Sequence, residues 1–137
     1  GQTFAGHPLG CAAGLAAMDE YENGLLDNVR ELAPVLEDQL RGLESKYDVV
    51  ADVHGRGFHW GVEFRDPDTG EPFVDPLVEE GDNPVTETRE YAREHGVLFG
   101  GGRPDIQNII SPPLCIDESD IDRAVSVLGD AIVATFE

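Results

Sequence analysis

Two long amphipathic segments dominate the pattern of apolar and polar positions along the chain. From Leu25 to about Ser45 the apolar residues recur at helical spacing, so one stripe faces a core while the charged face is solvated. A second such segment follows Asp117, which is placed to cap a helix. The two buried stripes are predicted to contain Leu25, Leu26, Val29, Leu32, Ala33, Leu36, Leu40 and Leu43 in the first segment, and Ile121, Ala124, Val125, Leu128 and Ile132 in the second.

Two shorter helices are predicted from their start and stop signals. The first runs from Pro8 to about Glu22 and is broken by Asn23-Gly24, and the second runs from Pro84 to about His95 before Gly96. Pro34 lies inside the long segment, where a proline costs about 3 kcal/mol because its ring clashes with a carbonyl of the preceding turn. We therefore expect a kink or a restart of the helix at Pro34.

Alternating apolar residues predict two pairs of strands. Residues Val49–His54 and Phe58–Phe64 flank Gly55-Arg56-Gly57, which predicts a hairpin or a bent strand pair. Residues Val97–Phe99 and Ile106–Ile110 are short apolar runs around a glycine-rich loop. The order of helix, strand pair, helix, strand, strand and helix predicts an α+β domain, a two-layer sandwich of helices on a small, mainly antiparallel sheet.

The chain is strongly acidic. Its 137 residues carry a formal net charge of −19, from 28 acidic and 9 basic side chains. Nucleic acid and anionic membranes are therefore poor partners, since phosphate binding requires clustered lysines and arginines. Lys46 is the only lysine, and this combination predicts a surface suited to high salt, where screening makes self-repulsion tolerable.

Cysteine usage and hydropathy predict a soluble, cytoplasmic protein. Cys11 and Cys115 both lie among apolar residues, so we expect two small core side chains rather than a disulfide or a metal pair. No apolar run reaches the length that spans a membrane, and no signal peptide is visible.

The first eight residues, Gly1-Gln2-Thr3-Phe4-Ala5-Gly6-His7-Pro8, carry the clearest candidate chemistry. Two glycines, a threonine and a helix-opening proline predict a tight loop whose backbone N–H groups and Thr3 hydroxyl hold an anion. The same residues also fit an ordinary helix-entry loop with Thr3 exposed. Short loops of this composition are weakly specific, so the residues alone leave both interpretations open.

The order of these residues resembles the T-[FY]-[SAT]-G-H-P segment of class III aminotransferases, which are pyridoxal phosphate (PLP) enzymes of fold type I. Two later blocks are similar to the same family, and they come in the expected order: residues 54–63, with His54-Gly55-Arg56-Gly57-Phe58 and Gly61-Val62-Glu63, and residues 112–122, beginning Pro112-Pro113-Leu114. The resemblance implies that residues 1–22 end the large PLP-binding domain and that residues 23–137 form the C-terminal small domain. It also implies that the chain is a fragment.

The resemblance further implies roles for individual residues. Thr3 is expected to reach across a dimer interface to the phosphate of a PLP held mainly by the partner subunit, and Gln2 to contribute its backbone N–H. Arg103 follows three glycines and is a candidate for binding a substrate carboxylate through its bidentate guanidinium, the alternative being an ordinary loop arginine. The Schiff-base lysine of the family lies upstream of the Thr loop. Lys46 sits at a charged helix end, so no catalytic residue is assigned and the isolated chain is expected to be inactive.

No metal site is expected from spacing along the chain. His54 and His59 flank the Gly-Arg-Gly turn while the cysteines are far away, which is not a zinc pattern. Asp66-x-Asp68 and the acidic run from Asp117 lack the remaining positions of an EF-hand loop.

The implied activity of the parent enzyme is transfer of an amino group, in a homodimer, from a donor such as an ω-amino acid to a 2-oxo acid such as pyruvate or 2-oxoglutarate. A glutamate-1-semialdehyde aminomutase-like enzyme is an alternative within the same fold. A non-catalytic α+β module for ligand binding or dimerisation is an alternative of a different class. Coding sequence upstream of Gly1 distinguishes the enzyme from the module.

Overall fold

A computed structural model describes residues 3–75 and 82–137, which form a four-stranded antiparallel sheet with helices packed on one face. The strand order is β1-β2-β4-β3, so the hairpin β1-β2 is extended by β4 and then by the short edge strand β3. The elements are α1 Pro8–Glu20, a π-helical turn Tyr21–Leu25, α2 Leu26–Lys46, β1 Val50–Arg56, β2 His59–Phe64, α3 Pro84–Glu94, β3 Gly100–Gly101, β4 Gln107–Ile110 and α4 Glu118–Phe136.

The core lies between the sheet and helices α2, α3 and α4. Leu36 and Leu40 of α2 and Leu128 of α4 are almost completely buried, as the helical spacing predicts. They meet the inward side chains of the sheet, which alternate with outward ones along each strand. The core includes Leu32, Leu36, Leu40, Leu43, Val53, Trp60, Val62, Phe64, Val85, Ile110, Ile121, Leu128 and Ile132.

The hairpin β1-β2 has the predicted turn, and its register contains one irregularity. Trp60 is buried, and its indole Nε1–H donates to the carbonyl of Gly57 at 2.8 Å, which ties the strand to the turn. The register shifts between Val50 and Asp52, so Val50 and Val53 both face the core while Asp52 and His54 face outward. The sheet therefore presents a polar outer face on β1 and β2, opposite the helices.

Helix α1 makes no contribution to the core. Every residue from Thr3 to Glu20 is exposed, whereas the first buried side chain of α2 is Leu32. The predicted break at Asn23-Gly24 is confirmed, because Asn23 has a ψ of 27° and Gly24 a φ of 116°. The left-handed conformation of Gly24 is one that other residues adopt only with strain.

The expected strand at Val97–Phe99 is wrong. Val97 closes the cap that follows α3, since its N–H donates to the carbonyl of Ala92 at 2.9 Å and Gly96 has a left-handed φ of 79°. The strand forms later, at Gly100–Gly101, where Gly100 pairs with Ile109. The helix cap therefore uses the N–H of Val97, which a strand ladder would need.

Two other expectations differ from the structure. Helix α2 continues through Pro34 from Leu26 to Lys46, so the helix does not restart; Pro34 is exposed, and water can solvate the carbonyl that loses its partner. Cys11 and Cys115 are both exposed rather than buried. Cys11 lies on α1, which has no buried residues, and Cys115 lies in the turn that follows Pro112-Pro113.

The predicted cap of α4 at Asp117 is confirmed, and the structure shows that Asn83 caps α3. The Asn83 side chain accepts a hydrogen bond from the N–H of Val85 at 3.0 Å, and Asp117 accepts from the N–H of Asp120 at 2.9 Å. The hydroxyl of Ser119 also donates to Asp117, and these bonds lower the pKa of Asp117. Within residues 3–75 and 82–137, no helix has the length and apolar character needed to cross a membrane.

Candidate functional site

Thr3 lies in an exposed turn directly before α1. The N–H of His7 donates to the carbonyl of Phe4 at 3.1 Å and closes the turn, and Gly6 has a φ of 76°. A type II turn requires a positive φ at its third residue, and glycine adopts this conformation without strain. The tight loop predicted from sequence is therefore present, while Gln2 lies outside the described residues.

The amino end of α1, next to this turn, is not capped by a side chain. His7 occupies the N-cap position without a side-chain hydrogen bond, Pro8 opens the helix, and no acidic residue lies in the first turn. Helix geometry leaves the first backbone N–H groups without acceptors inside the helix. The helix dipole adds a partial positive charge at the same end, so the turn and helix start together suit an anion.

Large apolar side chains near the turn are also exposed. Phe4 is 80% exposed, Leu9 is 74% exposed and Leu15 is 65% exposed. Thr3 is thus not packed into the core of its own chain. Several large exposed apolar side chains on one segment are typical of a segment that meets another part of a protein.

Arg103 lies in the loop between β3 and β4, beside an open polar hollow of about 380 Å³. The hollow is lined by Arg89, Gly101, Gly102, Arg103 and Asp105. Arg103 is exposed, and none of the hydrogen bonds or ion pairs found within the described residues involves its side chain. Its guanidinium is therefore available to a carboxylate that enters the hollow.

A second arginine that the sequence analysis did not single out forms the floor of this hollow. Arg89 is 15% exposed and contacts Asp105 at 2.7 Å, and it also donates to Asn108 and Thr86. Because its guanidinium is paired in this way, Arg89 positions the loop rather than binding a ligand. A β-carbon added to Gly101 would lie 3.3 Å from the Arg89 guanidinium carbon, so glycine keeps the floor open.

One oxygen of Asp105 remains without a partner in this network. Oδ2 accepts from Arg89 and from the hydroxyl of Thr86, while Oδ1 is buried and has no hydrogen bond. The sequence signal for the network is weak: Arg89 lies on the same face of α3 as Val85, Thr88 and Ala92, which are buried. An arginine on a buried helix face requires a carboxylate partner.

Lys46 does not resemble a Schiff-base lysine. It lies exposed at the carboxyl end of α2, with its ammonium 4.7 Å from the centre of the Tyr47 ring. Interaction with Tyr47 raises the pKa of Lys46. A lysine that forms a Schiff base needs a lowered pKa in a desolvating pocket, which is the opposite environment.

The Thr3 turn and the Arg103 loop lie on different elements of the fold. Thr3 precedes α1, and Arg103 follows the edge strand β3. No hydrogen bond or ion pair among the described residues joins the two. Within the described residues the two candidate positions are therefore not joined into one site.

Comparison with known proteins gives a consistent family. A match to the family described as aminotransferase class-III covers residues 1–132. An acetylornithine aminotransferase from Methanosarcina mazei is 35% identical over 130 residues, which are 94% of this chain and 28% of that protein. Ethanolamine-phosphate phospho-lyase homolog 1 from Caenorhabditis elegans is 28% identical over 133 residues, which are 95% of this chain and 27% of that protein.

A solved structure supports the same family. An amine transaminase from an uncultivated Pseudomonas species, in its PLP-bound form, has a TM-score of 0.81 and 31% identity; the match covers 98% of this chain and 29% of that one. The chain thus spans less than a third of the length of the relatives it matches. The predicted α+β fold and the resemblance carried by residues 3–8, 54–63 and 112–122 are both confirmed, and the chain belongs to the class-III aminotransferase family of fold type I PLP enzymes.

Proposed function

We propose that this chain is the C-terminal portion of a PLP-dependent aminotransferase that moves an amino group from an amino donor, such as an ω-amino acid, to a 2-oxo acid. The family match over residues 1–132 is the observation that carries the proposal. The acceptor is proposed to be pyruvate or 2-oxoglutarate. The isolated chain is expected to be inactive, because Lys46, its only lysine, is exposed and has a raised pKa.

The residues at the Thr3 turn fit the phosphate of PLP. The turn offers an exposed hydroxyl beside a helix start that has no side-chain cap and no acidic residue in its first turn. When bound, PLP supplies the aldehyde and electron-withdrawing ring on which amino-group chemistry takes place. The Thr3 hydroxyl would hold the phosphate with a charge-assisted hydrogen bond, with Gln2 adding a backbone N–H.

We propose a homodimer in which Thr3 serves the cofactor of the partner subunit. The exposed apolar residues Phe4, Leu9 and Leu15 beside the turn support this arrangement, since such side chains favour burial. The proposed domain division, residues 1–22 with the large domain and 23–137 as the small domain, is supported by the break at Asn23-Gly24.

Arg103 is proposed to hold the carboxylate of a substrate. The hollow beside it contains a second guanidinium, Arg89, but that group is already paired with Asp105. Arg103 would thus orient the substrate, whose carboxylate would accept hydrogen bonds from the N–H groups of the guanidinium.

The direct test is performed on the polypeptide encoded by the whole open reading frame that contains residues 1–137. Replacement Thr3→Ala is expected to weaken PLP binding about 10- to 100-fold, because a hydrogen bond to a charged group contributes about 1.5–3 kcal/mol. Thr3→Ser keeps the hydroxyl and is expected to retain most of the affinity. Binding is measured by the absorbance of the bound cofactor.

Pyridoxal without its phosphate provides the decisive comparison. Its affinity should be the same in the original protein and in Thr3→Ala, since Thr3 is assigned to the phosphate alone. Thr69→Ala is the matched control, because Thr69 is also an exposed threonine in a turn. Equal losses of pyridoxal and PLP affinity would show that Thr3 supports the fold and not the phosphate.

The reaction itself is tested by following amino donor and oxo acid together. Stoichiometric conversion of both supports amino transfer, whereas release of phosphate from an added phosphorylated amine, with no conversion of the oxo acid, would favour a lyase like the one named in Caenorhabditis elegans. Arg103→Gln is expected to raise the KM for the oxo acid about 10- to 100-fold with little change in kcat. Arg30→Gln, which removes an exposed arginine from α2, should leave KM unchanged.

We also propose that the protein works in a salt-rich cytoplasm. The support is its net charge of −19 and its single lysine. At high ionic strength the repulsion among exposed carboxylates is screened within a few ångströms.

A further inference from the structure

The outer face of the sheet holds a cluster of one imidazole and two carboxylates that includes neither Thr3 nor Arg103. Asp52, His54 and Glu63 each offer an atom suited to ligate a metal, and these atoms lie within 4.8 Å of one another. It is the one such group of three or more in the described part of the chain. We propose that these three residues form a binding site for a divalent transition-metal ion such as Zn²⁺.

Strand pairing, not spacing along the chain, assembles the cluster. Asp52 and Glu63 are directly paired across β1 and β2, and His54 is two residues after Asp52 on the same face. The irregularity between Val50 and Asp52 turns Asp52 to the outer face, where its Oδ2 lies 2.9 Å from Nδ1 of His54. Backbone hydrogen bonds of the sheet therefore fix the positions of all three residues.

Gly61, which pairs with His54, makes room for the imidazole. A β-carbon added to Gly61 would lie 2.7 Å from Nε2 of His54 and 2.6 Å from Oε1 of Gln107. The ring therefore lies down over the glycine instead of standing away from the sheet. This arrangement keeps His54 next to Glu63, whose side chain is only 17% exposed.

The donor set selects the class of metal. Imidazole nitrogen with carboxylate oxygens suits Zn²⁺ and related first-row ions, whereas Mg²⁺ and Ca²⁺ prefer oxygen ligands alone. Ligands on one Zn²⁺ lie at most about 4 Å apart, twice the bond length. Asp52 and His54 have side chains 56% and 51% exposed, so small side-chain rotations can close the remaining gap. Water would fill the other coordination positions.

Arg65 competes with the metal for one of these ligands. Its Nε and one terminal nitrogen both contact Oε1 of Glu63 at 2.6 Å. A metal must therefore use the other carboxylate oxygen or displace Arg65. Removing this arginine should strengthen metal binding, an effect that a merely structural role for Glu63 does not produce.

The test titrates metal-free chain, residues 1–137, with Zn²⁺ by calorimetry in buffer containing excess Mg²⁺. One Zn²⁺ per chain is expected, and His54→Gln and Glu63→Gln should each weaken binding at least about tenfold, since even outer-shell changes at metal sites cost 10- to 100-fold. Arg65→Gln should bind more tightly. Gly61→Ala should bind more weakly, because its methyl group displaces the His54 ring.

The controls are His59→Gln and Asp48→Asn, which change an exposed histidine and an exposed acid outside the cluster. Both should bind Zn²⁺ like the original chain, and circular dichroism must show that every variant folds. The proposal is overturned if folded His54→Gln binds as tightly as the original chain, or if excess Mg²⁺ abolishes binding. Either result would mean that Zn²⁺ associates only with the general acidic surface.

Discussion

Two glycines on adjacent hairpin strands should respond very differently to the same substitution. Gly55 pairs with Trp60, and Gly61 pairs with His54. In Gly55→Ala the new methyl carbon would lie 2.3 Å from the backbone oxygen of His59 and 2.7 Å from Cα of Trp60. In Gly61→Ala it would meet only the ends of two side chains, Gln107 and His54.

The loss of stability expected for each substitution depends on which atoms must move to make room for the new methyl group. Carbon atoms in favourable contact are about 3.5–4.0 Å apart, so Gly55→Ala requires a backbone shift of about 1 Å in β2. Trp60 is 2% exposed and leaves no free space for the shift. Overpacking a filled core costs about 1–3 kcal/mol or more, and we expect about 3 kcal/mol for Gly55→Ala. Gly61→Ala should change stability by less than about 1 kcal/mol, since the exposed His54 and half-buried Gln107 side chains can rotate away.

Thermal unfolding followed by far-ultraviolet circular dichroism measures this difference. For a chain of this length 1 kcal/mol corresponds to about 3–4 °C, so Gly55→Ala should lower Tm by about 10 °C. Gly61→Ala should remain within about 3 °C of the original chain. Similar melting temperatures for the two variants would refute the argument, because they would show that β2 yields as easily as a side chain.

Two further predictions concern acid and salt. The pKa of Asp117 is lowered in the folded chain by hydrogen bonds from Ser119 and Asp120, so the cap stabilises the fold above the unfolded pKa of about 3.9 and loses this effect as pH falls through the lower folded value. The Tm of the original chain minus the Tm of Asp117→Asn should therefore decrease as pH is lowered from neutral to about 3. A difference in Tm that stays constant over this range would contradict the prediction. The net charge of −19 predicts that Tm rises between dilute buffer and molar KCl, and equal melting temperatures in the two would exclude salt adaptation.

Much of the fold can be predicted from interactions between residues that are close together in the sequence. The amphipathic period identifies α2 and α4, and Asp117 caps α4 as the sequence predicts. These features depend on neighbours within one or two helical turns, which a sequence displays directly. The hairpin was likewise visible, because Gly57 and the alternation around Trp60 are local signals.

Features that depend on competition between partners were harder to predict. Val97–Phe99 has the composition of a strand, yet the bond from Val97 to Ala92 extends the end of α3. Cys11 lies among small apolar residues, yet it is exposed because α1 does not join this core. In both cases the local composition indicates which structure or environment the residues favour. It does not show which hydrogen-bonding partner or packing surface the fold provides.

Some candidate sites can be predicted from local sequence, and others depend on contacts between distant parts of the chain. Thr3 and Arg103 were identified from motif and loop composition, and their binding roles remain predictions. The cluster at His54 depends on strand register, and the pairing of Arg89 with Asp105 depends on the packing of α3 against β4. Spacing along the chain predicts no metal site, because the histidines lie far from the cysteines, whereas strand pairing brings Asp52 and Glu63 beside His54.

The exposure of every residue from Thr3 to Glu20 separates two kinds of evolutionary constraint. Substitutions in the interior of α2, α4 or the sheet act on the folding free energy of this domain. Substitutions in α1 leave that quantity nearly unchanged, because no side chain there is buried against it. Variation at positions 3–20 among relatives therefore reflects selection by surfaces beyond this core, and it can be interpreted separately from variation in the core-forming elements.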